Sequence, residues 1–280
     1  MLRRAMWLAA VVGLTSACLT PVAMAGVEAE EQEAPESAVS SPPMEMDDPG
    51  TPGPQGLEVN FVGAHARAGV GRSSEMLLDA NYGIGDRIQL KYERPYLTEG
   101  EVGAGSQQGL GATEFGIKWR AVDHGGLAIA FYPNYQLDDG FVLKDEDGVP
   151  EPSAGRSVYF PVLISKEIHR VYTLGANVGF RRNLDGRGDD ANFAVGVGRA
   201  VGEYSRVLAE VFSERDNHLR NRQTDVRAGY VFALFPKMFE QSSFELPIFA
   251  SIGHSIGITE TRERSLSFTL GMSIIKKRKS

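Results

Sequence analysis

A short stretch near the end of the chain matches the pattern that surrounds a nucleophilic serine in many hydrolases. Gly253-His254-Ser255-Ile256-Gly257 has the required glycine, serine and glycine spacing. The pattern works where a strand turns sharply into a helix, and its catalytic histidine follows later in the chain. Here Ile258 leads into another strand-like stretch, and the sequence contains no histidine after His254. We therefore interpret the match as a coincidence within a glycine-rich strand.

A second hydrolase arrangement places a histidine and its serine two residues apart on one strand, so that both project from the same face. His254 and Ser255 are adjacent, so on a strand they must point to opposite faces. The remaining histidines have no serine two residues away: His65, His124, His169 and His218. A catalytic pair assembled between strands stays open as an alternative. The sequence predicts that the protein is not an enzyme and has no catalytic residues.

Metal and cofactor sites are not predicted either. Cys18 is the single cysteine, so neither a disulfide framework nor a common zinc pattern is available. The acidic stretch 138–148 has its glycine too early for a calcium-binding helix-loop-helix, and we interpret it as a solvated loop. The glycine-rich stretch 103–111 opens no helix and therefore is not a phosphate cradle.

Charged and amide side chains recur at every second position in several stretches, which places each set on one face of a β-strand. The combined set contains six acids and four bases, whereas a strongly ion-selective pore would show rings of one sign. Mixed charge fits either a narrow polar channel or an interior closed by salt bridges. The candidate lumen-lining residues are Glu58, Asn60, Asp79, Asn81, Gln89, Lys91, Glu93, Glu114, Lys118, Arg120, Glu210, Asp225 and Arg227.

The elements that must position these residues are β-strands. In the stretch 110–121, Phe115, Ile117 and Trp119 share one face, and Lys118 lies on the other. We find no convincing amphipathic helix after the first 25 residues. About twelve strands are predicted, over 57–70, 73–82, 88–97, 110–121, 126–137, 156–167, 170–182, 190–201, 203–214, 222–233, 244–257 and 264–275.

Short and long connections between the predicted strands alternate for most of the chain. The link 83–87 is tight and 138–155 is long and polar, whereas 71–72 and 234–243 break the alternation. This layout is typical of outer-membrane barrels, which have short periplasmic turns and longer extracellular loops. The fold class predicted is all-β, a transmembrane antiparallel up-and-down β-barrel of about 12 strands in the cell outer membrane. The alternative is a soluble, secreted β-sandwich, whose apolar faces would point inward.

The N-terminus has the features of a secretory signal peptide. Arg3 and Arg4 precede an apolar run over 5–14, and a small-x-small cleavage pattern ends at Ala25. The run is too short to span a bilayer as a helix. We predict cleavage after Ala25, and the alternative is attachment of a lipid to Cys18.

The acidic charge is concentrated in one segment. Residues 26–56 contain eight acidic groups and no Lys or Arg, and we predict that they form an acidic, proline-rich periplasmic linker. The barrel is predicted over 57–275, followed by a basic C-terminal tail over 276–280. Because the formal net charge of the whole chain is -7 and the barrel is nearly neutral, a nucleic-acid partner is excluded.

Several motifs also resemble a known family. The run DDPGTPGP at 47–54 leads into the first strand, DANYGIGDRIQLKYE at 79–93 looks like a hairpin, and GIKWR at 116–120 looks like a fourth strand. Together they resemble a Gram-negative outer-membrane family named for the meta-pathway of phenol degradation. The resemblance covers about 47–120. It implies an outer-membrane barrel that takes up or exports small, often apolar compounds, without catalytic residues.

The function predicted is a passive channel or transporter for small molecules. The alternatives are a non-conducting structural or interaction barrel and an outer-membrane lipid hydrolase. The expected partners are outer-membrane lipids and lipopolysaccharide, a small-molecule solute and the barrel-assembly machinery.

Overall fold

The computed structural model describes 44–101, 105–140, 155–186, 188–202, 204–216, 221–234, 244–245, 248–258 and 264–276. The predicted signal peptide, most of the predicted linker and the last four residues lie outside the described residues. Among the described residues, no helix is long and apolar enough to cross a membrane.

The described chain is built from strands that join into one antiparallel barrel of twelve positions. The strands β4 and β5 share one position and β6 and β7 another, while β13 extends β14 in the same register against β15. The predicted all-β barrel of about twelve strands is confirmed. The strands are β1 (Leu57–Ala68), β2 (Gly71–Ile84), β3 (Ile88–Glu101), β4 (Ser106–Leu110), β5 (Glu114–His124), β6 (Leu127–Phe131), β7 (Asn134–Gln136), β8 (Ser157–Ile168), β9 (Tyr172–Asn183), β10 (Asp190–Ala200), β11 (Ser205–Asp216), β12 (Asn221–Ala233), β13 (Phe244–Glu245), β14 (Ile248–Gly257) and β15 (Arg264–Lys276).

The barrel closes because the first strand pairs with the last. Strand β1 pairs with β15 from Leu57 opposite Ile274 to Arg67 opposite Arg264, and it pairs with β2 on its other side. Closure joins the two ends of the described sheet, and a bilayer would not tolerate an open edge there because lipid cannot hydrogen-bond free backbone groups.

Two barrel positions are interrupted where proline removes a backbone donor. Pro133 separates β6 from β7, and β4 separates from β5 beside Pro95, whose carbonyl accepts a bond from the Gly111 N–H at 2.8 Å. The periodicity predicted one continuous strand at each place, because alternation by itself does not register a lost donor.

Short turns and longer loops occupy opposite ends of the barrel, as the alternation predicted. The chain enters β1 at the short-turn end, together with the turns 85–87, 125–126 and 169–171. In the last of these, His169 and Arg170 have φ angles of 51° and 54°, the left-handed conformation that both central residues of a type I′ turn adopt. Two connections are exceptions: the β1–β2 connection at 69–70 is short and lies at the loop end, and the long connection after β12 begins at the short-turn end, where Phe232 lies opposite Ser205. We assign the loop end to the cell exterior.

The outer and inner faces differ in polarity. Large apolar side chains at alternate positions, such as Phe115, Ile117 and Trp119, are exposed on the outside. Trp119 stacks on Phe131 with ring centroids 5.8 Å apart, near the short-turn end. The soluble sandwich is thereby wrong, because its apolar faces would be buried rather than turned outward.

Candidate functional site

All of the predicted lumen residues lie on the inner face: none is exposed, and each lies an even number of positions along its strand from a buried residue of the same face. Seven of them are buried: Asn60, Asn81, Gln89, Lys118, Arg120, Glu210 and Asp225. The other six are half-buried: Glu58, Asp79, Lys91, Glu93, Glu114 and Arg227.

One group forms a hydrogen-bonded chain across β1, β2 and β3. The Asn60 amide donates to Glu58 and to Asp79, at 2.9 Å in each case. The Asn81 amide donates to Asp79 at 3.0 Å, and Gln89 donates to Asn81 at 2.5 Å. These carboxylates and amides hold each other in place, so this part of the wall is a fixed polar surface.

A second group surrounds a tyrosine that was not among the predicted site residues. Tyr132 is fully buried, and the ammonium groups of Lys91 and Lys118 lie 5.4 and 5.0 Å from its ring centroid. Lys91 also pairs with Glu93 at 2.6 Å. An aromatic face attracts cations, which stabilises two ammonium groups that would otherwise repel each other. The sequence did carry a signal for this position: Tyr132 lies two residues before the polar Asn134, and residues two apart on a strand share a face.

The third group lies on β11 and β12. The Arg227 guanidinium pairs with Asp225 at 2.9 Å and lies 3.9 Å from a Glu210 oxygen. It also pairs with Glu45 at 2.9 Å, from the segment that precedes the barrel. The predicted residues of this group are therefore brought together, with a partner that the sequence did not indicate.

The remaining two predicted residues are Arg120 and Glu114. Arg120 pairs with Asp123 at 3.3 Å and donates to the Asp86 carbonyl at 2.8 Å, close to the short turns. Glu114 lies directly opposite Glu93 in the β3–β5 ladder.

The segment 44–56 is the main feature that sequence reasoning missed. Met46 is 1% exposed and packs with Ala194 and Phe212 on the inner face of the wall. The backbone N–H groups of Glu45 and Met46 donate to the Glu210 carboxylate at 3.1 and 2.8 Å. The prediction of a periplasmic linker therefore does not hold for 44–50, because the buried Glu210 carboxylate accepts the N–H groups of Glu45 and Met46 and an apolar seat buries Met46.

The segment continues across the lumen to the other side of the wall. Lys118 on β5 donates to the Asp48 carbonyl at 2.8 Å, and Thr51 donates to the Asp86 carbonyl at 3.1 Å. Nearer β1, the Gln55 N–H donates to the Gly83 carbonyl at 3.0 Å. Counted along the sheet, β11 is the fifth of the twelve positions from β5, so the segment links nearly opposite walls.

Close backbone approach fixes the last part of this path. A Cβ at Gly83 would lie 1.8 Å from the Gly53 carbonyl oxygen, a distance that no side chain could occupy. Glycine at position 83 is therefore required for the segment to lie against β2.

Two residues of the segment are packed tightly inside the barrel. Met46 and Pro49 are both less than 2% exposed, whereas the Glu45 side chain is 49% exposed. The stretch 44–50 lies between the β5 and β11 walls, and we call it the plug segment.

The histidine and the serine of the Gly-x-Ser-x-Gly match point to opposite faces of the strand, as predicted from their adjacency. His254 lies on the outer face, and Ser255 is buried on the inner face. A histidine–serine pair between strands does exist on the outer face, where His65 Nδ1 lies 2.9 Å from the Ser74 hydroxyl. Among the residues described, no carboxylate bonds to His65, so an orienting group for a catalytic triad is not seen.

The acidic stretch 138–148 is described only in its first three residues. Asp139 accepts hydrogen bonds from the Thr113 N–H and hydroxyl, both at 2.8 Å, and pairs with Arg94. Slight burial raises the pKa of the Asp139 carboxyl, but these hydrogen bonds together lower it below its usual value. Within the described ranges, no group of three His, Cys, Asp or Glu residues could hold a metal ion.

A closed twelve-position barrel with an apolar outer face and a polar interior defines this chain as an outer-membrane β-barrel protein. The predicted location in the cell outer membrane is confirmed.

A solved outer-membrane structure supports the fold, and two less similar ones are given beside it. An outer-membrane channel from Pseudomonas putida F1 is similar with a TM-score of 0.53 and 12% identity, over 80% of this chain and 96% of that chain. The NanC porin has a TM-score of 0.49 and 9% identity, over 77% and 98% of the two chains. The monoaromatic hydrocarbon channel CymD has a TM-score of 0.43 and 9% identity, over 80% and 88%. No family model matches this chain and no curated protein matches it, so the resemblance to the phenol-degradation family stays a prediction.

Proposed function

We propose that the protein is a passive channel for small molecules whose lumen is closed by the plug segment and opens when that segment moves. The observation that carries the proposal is the contrast between a hydrogen-bonded barrel and a plug attached to it by a few side chains. No described strand of the barrel pairs with 44–50.

The attachments of the plug segment can be named one by one. Among the described residues they include the Glu210 carboxylate, the Arg227 guanidinium, the Lys118 ammonium and the apolar seat of Met46. Each polar attachment is charge-assisted, and hydrogen bonds to charged groups contribute about 1.5–3 kcal/mol each. Such a set holds the plug under resting conditions, yet its release leaves every strand ladder intact.

The lumen that the plug would uncover suggests the class of solute. Its surface combines fixed carboxylates and amides with the rings of Tyr132 and Phe212, above which lie Lys118 and Arg227. Rings of a single charge are not formed by the described residues. This supports a solute that is small and has both an apolar body and polar groups, rather than a simple ion.

The test is conductance of the purified protein in planar lipid bilayers. We compare the unaltered chain with deletion of 44–50, and a matched control deletes the seven residues 28–34. We expect rare or brief openings in the unaltered chain and the control, and sustained openings in the 44–50 deletion. The variant Glu210→Gln should give intermediate open times because it weakens two backbone hydrogen bonds to the plug.

The buried plug also favours the second candidate, a non-conducting structural barrel. If the 44–50 deletion stays silent while it migrates as a folded, heat-modifiable barrel, the channel proposal is wrong and the structural barrel is preferred. If the unaltered chain conducts as well as the deletion, the plug segment is not a barrier. The signal peptide and insertion by the barrel-assembly machinery stay predictions.

A further inference from the structure

Three arginines lie side by side on neighbouring strands of the barrel. Arg67 on β1 is directly opposite Arg72 on β2 and directly opposite Arg264 on β15. Directly opposite residues of an antiparallel ladder share a face, so the three guanidinium groups project from one side. With strands about 4.8 Å apart, the row spans roughly 10 Å. We call these residues the arginine row.

The arginine row lies on the outside of the barrel at its extracellular end. All three side chains are exposed, and they share the outward-facing positions of Phe61 and Phe268. The β1–β2 turn beside them contains only residues 69–70, so this hairpin adds no long loop that could cover them.

The row places like charges in contact positions, which is unfavourable without an anion. Like charges directly opposite in a ladder destabilise the pair. Among the residues that the structure describes, no Asp or Glu forms an ion pair with any of the three arginines. Six of the outer-face positions nearest to the row carry uncharged or histidine side chains: Ser74, His65, Leu266, His254, Ile256 and Gly100.

Polarity changes in steps along the strands from the row toward the membrane centre. Two residues inward lie His65 and Ser74, which bond to each other at 2.9 Å, and His254 lies on the same level across Leu266. Two further residues inward, the surface is apolar, with Met76 49% and Phe268 54% exposed. This order of cations, polar donors and apolar side chains matches an amphiphile with an anionic headgroup.

We propose that this surface binds the phosphorylated disaccharide headgroup of lipopolysaccharide, the glycolipid of the outer leaflet. The guanidinium groups of the arginine row hold the phosphates, because arginine binds phosphate oxygens in a bidentate manner. His65 and Ser74 contact the sugar, and the acyl chains lie along Met76 and Phe268. Position at the extracellular end selects this lipid over the phospholipids of the inner leaflet.

The test is binding of purified lipid A to the folded protein in detergent with a chelator, followed by native mass spectrometry. The ligands are diphosphorylated lipid A, chemically dephosphorylated lipid A and phosphatidylglycerol. The variant replaces the row by Arg67→Gln, Arg72→Gln and Arg264→Gln. The matched control makes the same change at three exposed arginines of the short-turn end: Arg87, Arg170 and Arg199.

We expect the unaltered chain and the control to bind diphosphorylated lipid A about tenfold more tightly than the row variant, a difference of about 1.4 kcal/mol. Dephosphorylated lipid should bind the unaltered chain as weakly as the row variant binds the intact lipid. Equal binding of the two lipid forms to the unaltered chain overturns the proposal, whether or not the row variant folds. Equal loss for the control variant, or equally tight binding of phosphatidylglycerol, also overturns it in favour of general anion binding.

Discussion

The barrel wall and the plug segment are held by different kinds of interaction. Each full-length wall strand is paired over most of its length on both sides, as in β2, which is matched to β1 from Gly71 to Tyr82 and to β3 from Gly71 to Ile84. The plug segment has no ladder and depends on Met46 and on the side chains of Glu210, Lys118 and Arg227. One substitution in the wall therefore removes a small share of the contacts that hold the wall together. One substitution in the plug segment removes a large share of the contacts that hold it in the lumen.

The difference indicates how one chain combines a rigid pore with a movable closure. The wall must satisfy every backbone group because lipid offers no alternative partners. The plug lies in a polar interior, where water can replace its partners when it leaves. Variants that affect only one of the two regions should therefore separate the stability of the barrel from the blocking of its lumen by the plug segment.

The largest effect on the wall should come from a charge at the lipid-facing centre of β11. Val211 is 49% exposed and lies between the outward-facing Val195 and Val226. Val211→Arg should lower the free energy of unfolding by about 2–4 kcal/mol in lipid vesicles, because it places a cation in the hydrocarbon layer. Unfolding in urea measures this free energy, and the conductance of the channel should not change. The control Val201→Arg, at a 47% exposed position in the β10–β11 turn, should change stability by less than about 0.5 kcal/mol.

The largest effect on the plug should come from its buried methionine. Met46→Ala removes the apolar contact with Ala194 and Phe212, a change that costs about 2 kcal/mol or more at buried sites. Cleavage after Glu45 by a glutamate-specific protease should speed up about tenfold or more, since the rate follows the population of the open form. Unfolding of the barrel in urea should stay within about 0.5 kcal/mol of the unaltered chain. A barrel destabilised as much as the plug would contradict the independence of the two regions.

A β-branched side chain at Gly83 should disturb the junction between plug and wall. A Cβ there would meet the Gly53 carbonyl oxygen, which is backbone and cannot swing aside. Gly83→Val should displace the segment near Gly53 and cost about 1–3 kcal/mol of its attachment, measured as longer channel openings. The control is Gly105→Val, since a Cβ at Gly105 meets nothing within 4 Å. Openings unchanged from those of the control would show that 52–56 is not needed for closure.

The smallest effect should be a gain in wall stability at the β8–β9 turn. His169 and Arg170 both hold positive φ angles, which L side chains adopt at a cost of roughly 1 kcal/mol each. Replacing them by Asn and Gly should raise the free energy of unfolding by about 1 kcal/mol, because this pair suits the turn. Conductance should be unchanged, and a loss of stability would show that the turn makes other contacts through these side chains.

Most of the wall could be predicted because membrane insertion imposes alternation on every strand. The pattern placed Glu58 and Arg227 on the inner face and Phe115 and Trp119 on the outer face without knowledge of their neighbours. Interruptions at Pro95 and Pro133 were missed, since a lost donor matters only once its partner strand is known.

The sequence by itself determined the strands, their faces and the closed sheet, because these follow from local periodicity and from the exclusion of free edges in lipid. Tertiary structure alone decided the placement of 44–56 and the formation of the arginine row. A proline-rich acidic segment has no periodicity that predicts burial, and its seat exists only after β5 and β11 face each other across the lumen. Similarly, Arg67 and Arg264 become neighbours only when the first strand meets the last.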